Sequence, residues 1–401
     1  MSTIWILRFT CLLQIASMGI LFVFEAVRMK DVGVGESEIG LILGFSSGVF
    51  ILSSIFWGRL ADKRGWHKRI VVWGTLGFTG LLFYFALCTT PWQFFVYGIL
   101  RSVFMPMIAG IMPTIAVKAH GEKQQGRKFG IYRAFGSVGF ILGAMVLPLV
   151  FNDIAIVAQA SSVFLIGSLF LISRLPKPEA SHIHRAPLEI RNLDSLIKLF
   201  LFSTFFISLA DPAVHGFFNA YARDLGGSTR LLGLLAGMFG LVAFFFLPLM
   251  GRAIDHFRPS SVLVISLLFQ PLRVFVTSTL DNPNFLWIPI LFHGICWGGM
   301  EVAAVVYLSR RVEDGQKATV LSYYMAVRML GTLVGASVCG YVAEHFGYVT
   351  MFRTISAAAL VGALIYTLGI VISRIRERSN RGISGTEHQL KSDQARGNEP
   401  F

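Results

Sequence analysis

The chain alternates long apolar runs with short polar breaks. A helix of about 20 apolar residues crosses the hydrocarbon core of a bilayer, and roughly twelve such stretches can be drawn along this sequence. In the first half they fall at about 4–28, 39–60, 70–88, 93–117, 129–150 and 154–174, and in the second at about 195–219, 231–250, 260–279, 285–309, 319–342 and 350–373. The runs are continuous rather than alternating and far exceed the length of a barrel strand, so the pattern predicts helices. The first stretch is too long for a signal-peptide core and reads as a retained span. Residues 175–194 are polar and broken by Pro176, Pro178 and Pro187, as befits a linker between two six-helix bundles at 1–174 and 195–373. From 374 to 401 the chain is basic and polar, and a disordered tail is expected.

Composition agrees with an all-α membrane protein. Of the 401 residues 54% are hydrophobic and only 14% charged, where a soluble domain carries about one quarter. The net charge of +13 raises the question of nucleic acid, but the Lys and Arg fall between apolar runs and form no basic face or motif. They gather in alternate loops: Arg59 to Arg69, Lys118 to Lys128, Arg174 to Arg191, Arg252 and Arg258, Arg310 to Lys317, and the tail. The opposite loops offer little beyond Arg28, Lys30, Arg223 and Arg230. By the positive-inside rule both termini and the linker are cytoplasmic, in a multi-pass protein of the inner membrane. Cys11, Cys88, Cys296 and Cys339 lie in apolar runs without metal-ligand spacing, so neither a zinc site nor a disulfide framework is indicated. No nucleophile–base cluster or phosphate-binding glycine loop appears, which argues against an enzyme.

Two loops repeat. GRLADKRGWHKR follows the second run and GRAIDHFRP the eighth, each with Gly-Arg and then an Asp three residues after the Arg, at Asp62 and Asp255. Matching loops in two six-helix halves imply internal duplication. The first loop resembles the signature loop of the major facilitator superfamily, with Gly58, Leu60, Ala61, Asp62, Gly65, Lys68 and Arg69 in its places. The resemblance implies the major facilitator fold, two pseudo-symmetric bundles rocking about a midplane site, with this loop latching the halves together on the cytoplasmic side.

Ionisable residues inside the membrane are costly and each is a functional hypothesis. The first half has Arg8, Glu25, Arg101 and Arg133; the second has Asp211, His215, Arg273, His293, Glu301 and Arg328. Arg8 and Glu25 fall near span ends, where snorkelling is sufficient. The second-half set resembles lactose permease and its relatives, the phenylpropionate and nucleoside proton symporters. In DPAVHGFFNAY, Asp211 and Asn219 stand at that permease's spacing, and Arg328 precedes LGTLVGASVCGYVAEHFG as its buried Lys does, which implies an Asp211–Arg328 ion pair. By the same resemblance Arg273, in PLRVFV, takes the place of the proton-coupling Arg, and Glu301 that of the carboxylate that gains and loses the proton. His293 matches a His of the phenylpropionate-type relatives. A Glu that alternates between burial and the approach of Arg273 is a sufficient proton switch; a static structural pair is the alternative.

In the first half, FGIYRAFGSVGFILG fills the frame G-x-x-R-x-x-G-x-x-[GA] of the same permeases with Gly130, Arg133, Gly136 and Gly139. Its sugar-binding partners are missing: the fourth run reads GIMPTIAVKA without a Glu, Phe140 replaces a stacking Trp, and Gly237 and Gly298 stand where a Glu and a His are expected. That leaves galactosides poorly served. Arg133 beside aromatic side chains suits a carboxylate on an apolar or aromatic body. Arg101 has two readings, substrate contact or packing against the signature loop, and His215 and Asn219 complete the candidate substrate set. The expectation is a monomeric proton-coupled symporter of a small organic solute, an organic or aromatic acid, sugar or nucleoside. An efflux antiporter of sugars or drugs is the alternative. The lipid bilayer is its other partner, the proton its coupling ion, and no metal or organic cofactor is implied.

Overall fold

The computed structural model of the protein describes residues 2–120, 125–175, 193–313 and 316–396, with the side chains at 62, 117–130, 255, 318 and 377–396 outside that description. The apolar runs are helices. In the first half these are α1 (Thr3–Asp31), α2 (Glu36–Arg64), α3 (His67–Leu87), α4 (Pro91–Ala109, continued by Ile111–His120), α5 (Gln125–Ile141, continued through Leu142–Val146 to Leu147–Val150) and α6 (Ile154–Ser173). In the second they are α7 (Ser195–Ser208 and Asp211–Asp224), α8 (Thr229–His256), α9 (Pro259–Thr277), α10 (Trp287–Leu291, Gly294–Gly298 and Gly299–Ser309), α11 (317–346) and α12 (348–396). Eleven described helical stretches are long and apolar enough to cross a membrane. The last of them covers two crossings, because Gly347 breaks it at φ 81 and ψ 162. That conformation suits a residue without Cβ, and it folds α12 back against α11 in a single-residue turn.

Helix starts obey local chemistry. Thr90 accepts from the Gln93 amide in a capping box with Pro91 at the first position, while Asp153, Asp194 and Ser228 cap α6, α7 and α8 with side-chain oxygens. The tail expected to be disordered is helical to Arg396. Once α12 is nucleated by packing, each further residue adds a hydrogen bond at low cost, and the Arg, Glu, Gln and Lys of this stretch are good helix formers. Of the linker, 176–192 lie outside the described residues.

Two ends of the molecule can be distinguished. The basic end carries the N-terminus and the loops rich in Lys and Arg; the far end carries the turns after α1, α3, α5, α7, α9 and α11. At the far end the halves meet backbone to backbone. A methyl group added at Gly40 of α2 would collide with the Ala336 carbonyl oxygen of α11, and one at Gly340 with that of Glu36. Gly233 and Gly237 of α8 are pressed likewise on Pro148 and Met145 of α5. Small residues at such crossings are what lets membrane helices pack closely.

Charged groups seal the same end. Lys30 reaches Glu36 Oε1 at 2.6 Å and Asp224 Oδ1 at 3.0 Å, and lies 4.8 Å from the centre of the Tyr348 ring. Arg223 grips Asp31 with two bonds, Nε to Oδ1 at 2.9 Å and Nη2 to Oδ2 at 2.7 Å. Glu344 of α11 accepts from the Ser37 amide at 2.7 Å, capping α2 from the other half. These contacts tie the two halves together at this end. The molecule is closed at the far end.

Candidate functional site

Three helices bring acids and one base together in the second bundle. Asp211 opens the second piece of α7, after a break at Leu209 and Ala210, with Pro212 next to it. Glu301 lies in the first α-helical turn after the π-helical turn Gly294–Gly298 of α10. Local departures of this kind re-aim side chains and are frequent at functional sites. Arg328 of α11 lies between the two acids: Nη1 donates to Glu301 Oε1 at 2.7 Å, and Nη2 is 3.6 Å from Asp211 Oδ2. The side chains are 13% (Arg328), 22% (Asp211) and 30% (Glu301) exposed, so the cluster borders open space rather than solid core. The Asp211–Arg328 pair implied by the resemblance is present, loosened by a competitor.

Arg273 is placed differently from its expected role. It does not face Glu301; its Nη1 donates to His293 Nδ1 at 3.0 Å. Since guanidinium only donates, His293 takes the tautomer with its proton on Nε2. The reason is depth. Gly299 packs on Ser266 where α9 and α10 cross, and Arg273 lies seven residues from that crossing toward the far end, Glu301 two toward the basic end. At 1.5 Å per residue the two are about 13 Å apart along the helices, too far for a direct pair. Arg273 is instead buried, its Cζ 5.1 Å from the Phe239 ring centre, with Nη2 lacking a partner. His293 stacks on Trp297 at 5.4 Å and meets His215 edge-on at 5.9 Å. Asn219 turns inward; its amide nitrogen donates to the His215 carbonyl and its oxygen is buried.

In the first bundle, Arg101 of α4 pairs with Glu25 of α1 at 3.2 Å. Glu25 is buried inside α1, not snorkelling from its end. Arg133 is exposed and forms no ion pair or hydrogen bond among the described residues. Phe140, two turns on, is half-buried against Gly19 of α1 and close to Gly240 of α8. Gly237, which stands where the permeases have a sugar-binding Glu, is filled by the α5–α8 crossing at Met145. A signal in the sequence links the two Arg residues: Arg133-Ala-Phe-Gly-Ser in α5 and Arg328-Met-Leu-Gly-Thr in α11 occupy corresponding helices of the two halves. One has two acids, the other none.

At the signature loop, Gly65 ends α2 at φ 64. Lys68 donates to the Ser173 and Leu175 carbonyls, holding the end of α6, and Arg69 lies over Trp66. Gly58 has open space beside it. The side chains of Asp62 and Asp255 lie outside the described residues. Lys30 and Arg223, mere residual charge in the loop pattern, carry the seal at the opposite end.

The model of the MFS_1 like family matches residues 4–354. The chain belongs to that family. It is a transporter of the major facilitator type, with the fold expected from the signature loop, and not an enzyme. The multidrug resistance protein MdtG of Escherichia coli (strain K12 / DH10B) is 23% identical over 389 residues, covering 92% of this chain and 95% of that protein. The solved structure of the nucleoside transporter NupG superposes with a TM-score of 0.75 at 16% identity, over 92% of this chain and 99% of that one. The D-xylose-proton symporter gives 0.70 at 14% identity, over 90% and 96%. At such identities the two solved structures share the fold with this chain.

Proposed function

We propose that the protein is a proton-coupled symporter that takes up a small organic solute by alternating access, with Glu301 as the proton carrier. The observation supporting this is Arg328 shared between two carboxylates beside open space. With both acids ionised the cluster has a net charge of −1; one proton makes it neutral. A net charge is costly to enclose in a low-dielectric interior, so closure around the cluster favours the protonated form, and opening to water releases the proton. Glu301, the more exposed of the two acids, exchanges it most readily. Arg133, free of acids, receives a carboxylate or another acceptor-rich group of the solute, with Phe140 beside it. Arg273, His293 and His215 form a second polar group toward the far end, on the path a proton takes when that end opens. By the positive-inside orientation the basic end is cytoplasmic, so a molecule shut at the far end is inward-facing.

The D-xylose-proton symporter, by its name, supports symport as the first reading; the likeness to a multidrug resistance protein favours efflux as the second. A solute is first identified by thermal stabilisation of the purified protein against sugars, nucleosides and aromatic acids, with Arg133→Ala as control. In proteoliposomes, Glu301→Gln is expected to exchange that solute across the membrane yet fail to accumulate it against a pH gradient. Normal accumulation by this variant would remove Glu301 from the role. In everted vesicles, solute added outside acidifies the lumen for symport, and alkalinises an already acid lumen for antiport.

A further inference from the structure

At the basic end of the first bundle, away from Glu301 and Arg328, lies a cavity of about 250 Å³ lined by Trp57, Leu60, Trp66, Arg69, Ile70, Trp73 and Met107. Ile70 and Met107 are buried and form its floor, while Trp73 is 67% exposed and stands at its mouth. Trp57 precedes the end of α2 by seven residues and Trp73 follows the start of α3 by six, so both lie about 10 Å from those helix ends. That depth is the membrane–water interface, where Trp is enriched.

Cations surround the mouth. Arg59, Lys63, Arg64 and Arg69 are exposed and have no acidic partner among the described residues. Two are held in place by an aromatic face: Arg64 Cζ lies 4.7 Å and Arg69 Cζ 5.7 Å from the Trp66 ring centre. Lys68 belongs to the α6 terminus and takes no part. Fixed cations above an apolar slot call for an amphipathic anion. The cavity falls below the ~300–1,000 Å³ of sites that enclose a soluble small molecule, so the ligand's bulk must lie outside it, in the bilayer.

We infer that this cavity binds an anionic phospholipid of the leaflet at the basic end, its phosphate on Arg64 and Arg69 and the start of one acyl chain against Trp57, Trp66 and Trp73. Basic pockets between membrane helices suit such headgroups. The site is built on the signature loop itself, so lipid occupancy acts on the segment that joins α2 to α3.

The full chain in nanodiscs tests this, with phosphatidylglycerol or phosphatidylcholine brominated on the acyl chain as quencher of tryptophan fluorescence. Brominated phosphatidylglycerol at equal mole fraction is expected to quench with roughly fivefold higher apparent affinity, the scale of one surface cation. Arg64→Gln with Arg69→Gln should abolish the preference at unchanged helicity, while Arg310→Gln with Arg376→Gln, the same charge lost at the same end, should leave it. Equal quenching by both lipids in the unaltered protein overturns the inference. So does an equal loss in both variants, which would mean general attraction of the basic end, or a preference that survives loss of Arg64 and Arg69.

Discussion

Arg101 and Arg328 illustrate how differently one residue type behaves with surroundings. Arg101 and Glu25 are enclosed in the first bundle, and a buried pair that loses one partner leaves an uncompensated charge, at a cost of about 3–5 kcal/mol. Arg101→Ala is therefore expected to lower the unfolding temperature in detergent sharply, and Glu25→Gln with Arg101→Gln to recover most of it; a double variant as unstable as the single one would exclude the pair as the cause. Arg328 has two acids and stands beside open space, so it can lose one and keep the other. Of these partnerships the sequence made Asp211–Arg328 legible, through the resemblance of these segments of α7 and α11 to lactose permease. Glu301–Arg328 was not legible, since it depends on how α10 is set against α11, just as the separation of Arg273 from Glu301 depends on how deep α9 and α10 are set against each other at Ser266 and Gly299. Nor was Glu25–Arg101, whose position in the packed α1 no pattern of hydropathy reveals.

Helices were legible to within several residues, the extension of α12 to Arg396 apart, because a twenty-residue apolar run has few alternatives. What escaped were the interruptions: the break before Asp211 and the π-helical turns at Leu142–Val146 and Gly294–Gly298. Each keeps the apolar pattern intact while turning side chains to new partners. The contact of α2 with α11 follows from glycines whose spacing was visible but whose partner was not. Gly340→Val drives a side chain into the Glu36 carbonyl, and overpacking of this kind costs about 1–3 kcal/mol. The expected result is a shift toward opening at the far end. Spin labels at Glu38→Cys and His345→Cys, exposed residues flanking the crossing, should report one short distance in the parent and a longer population in the valine variant.

For the molecule as a whole, two kinds of contact hold the far end shut. The ionic set is accessible, and pairs of that sort contribute up to about 1 kcal/mol each. Asp31→Arg should weaken closure by repelling Arg223, and adding Arg223→Asp should restore it, read by the same spin-label pair; failure of the second change to restore the short distance would show that the grip on Asp31 is incidental. The charge bias of the basic end was plain in the sequence, but the role of the few far-end charges was not, since a Lys or Arg in a short loop looks alike whether it seals or merely faces water. The glycine crossings are of another character. Where Gly40 and Gly340 touch through bare backbone, no side chain can swing aside to begin a separation, and parting the helices exposes carbonyl and amide faces over several turns at once. Water has to fill that gap as it forms. Switching at this end thus consumes solvent, and its equilibrium depends on water activity as well as on salt.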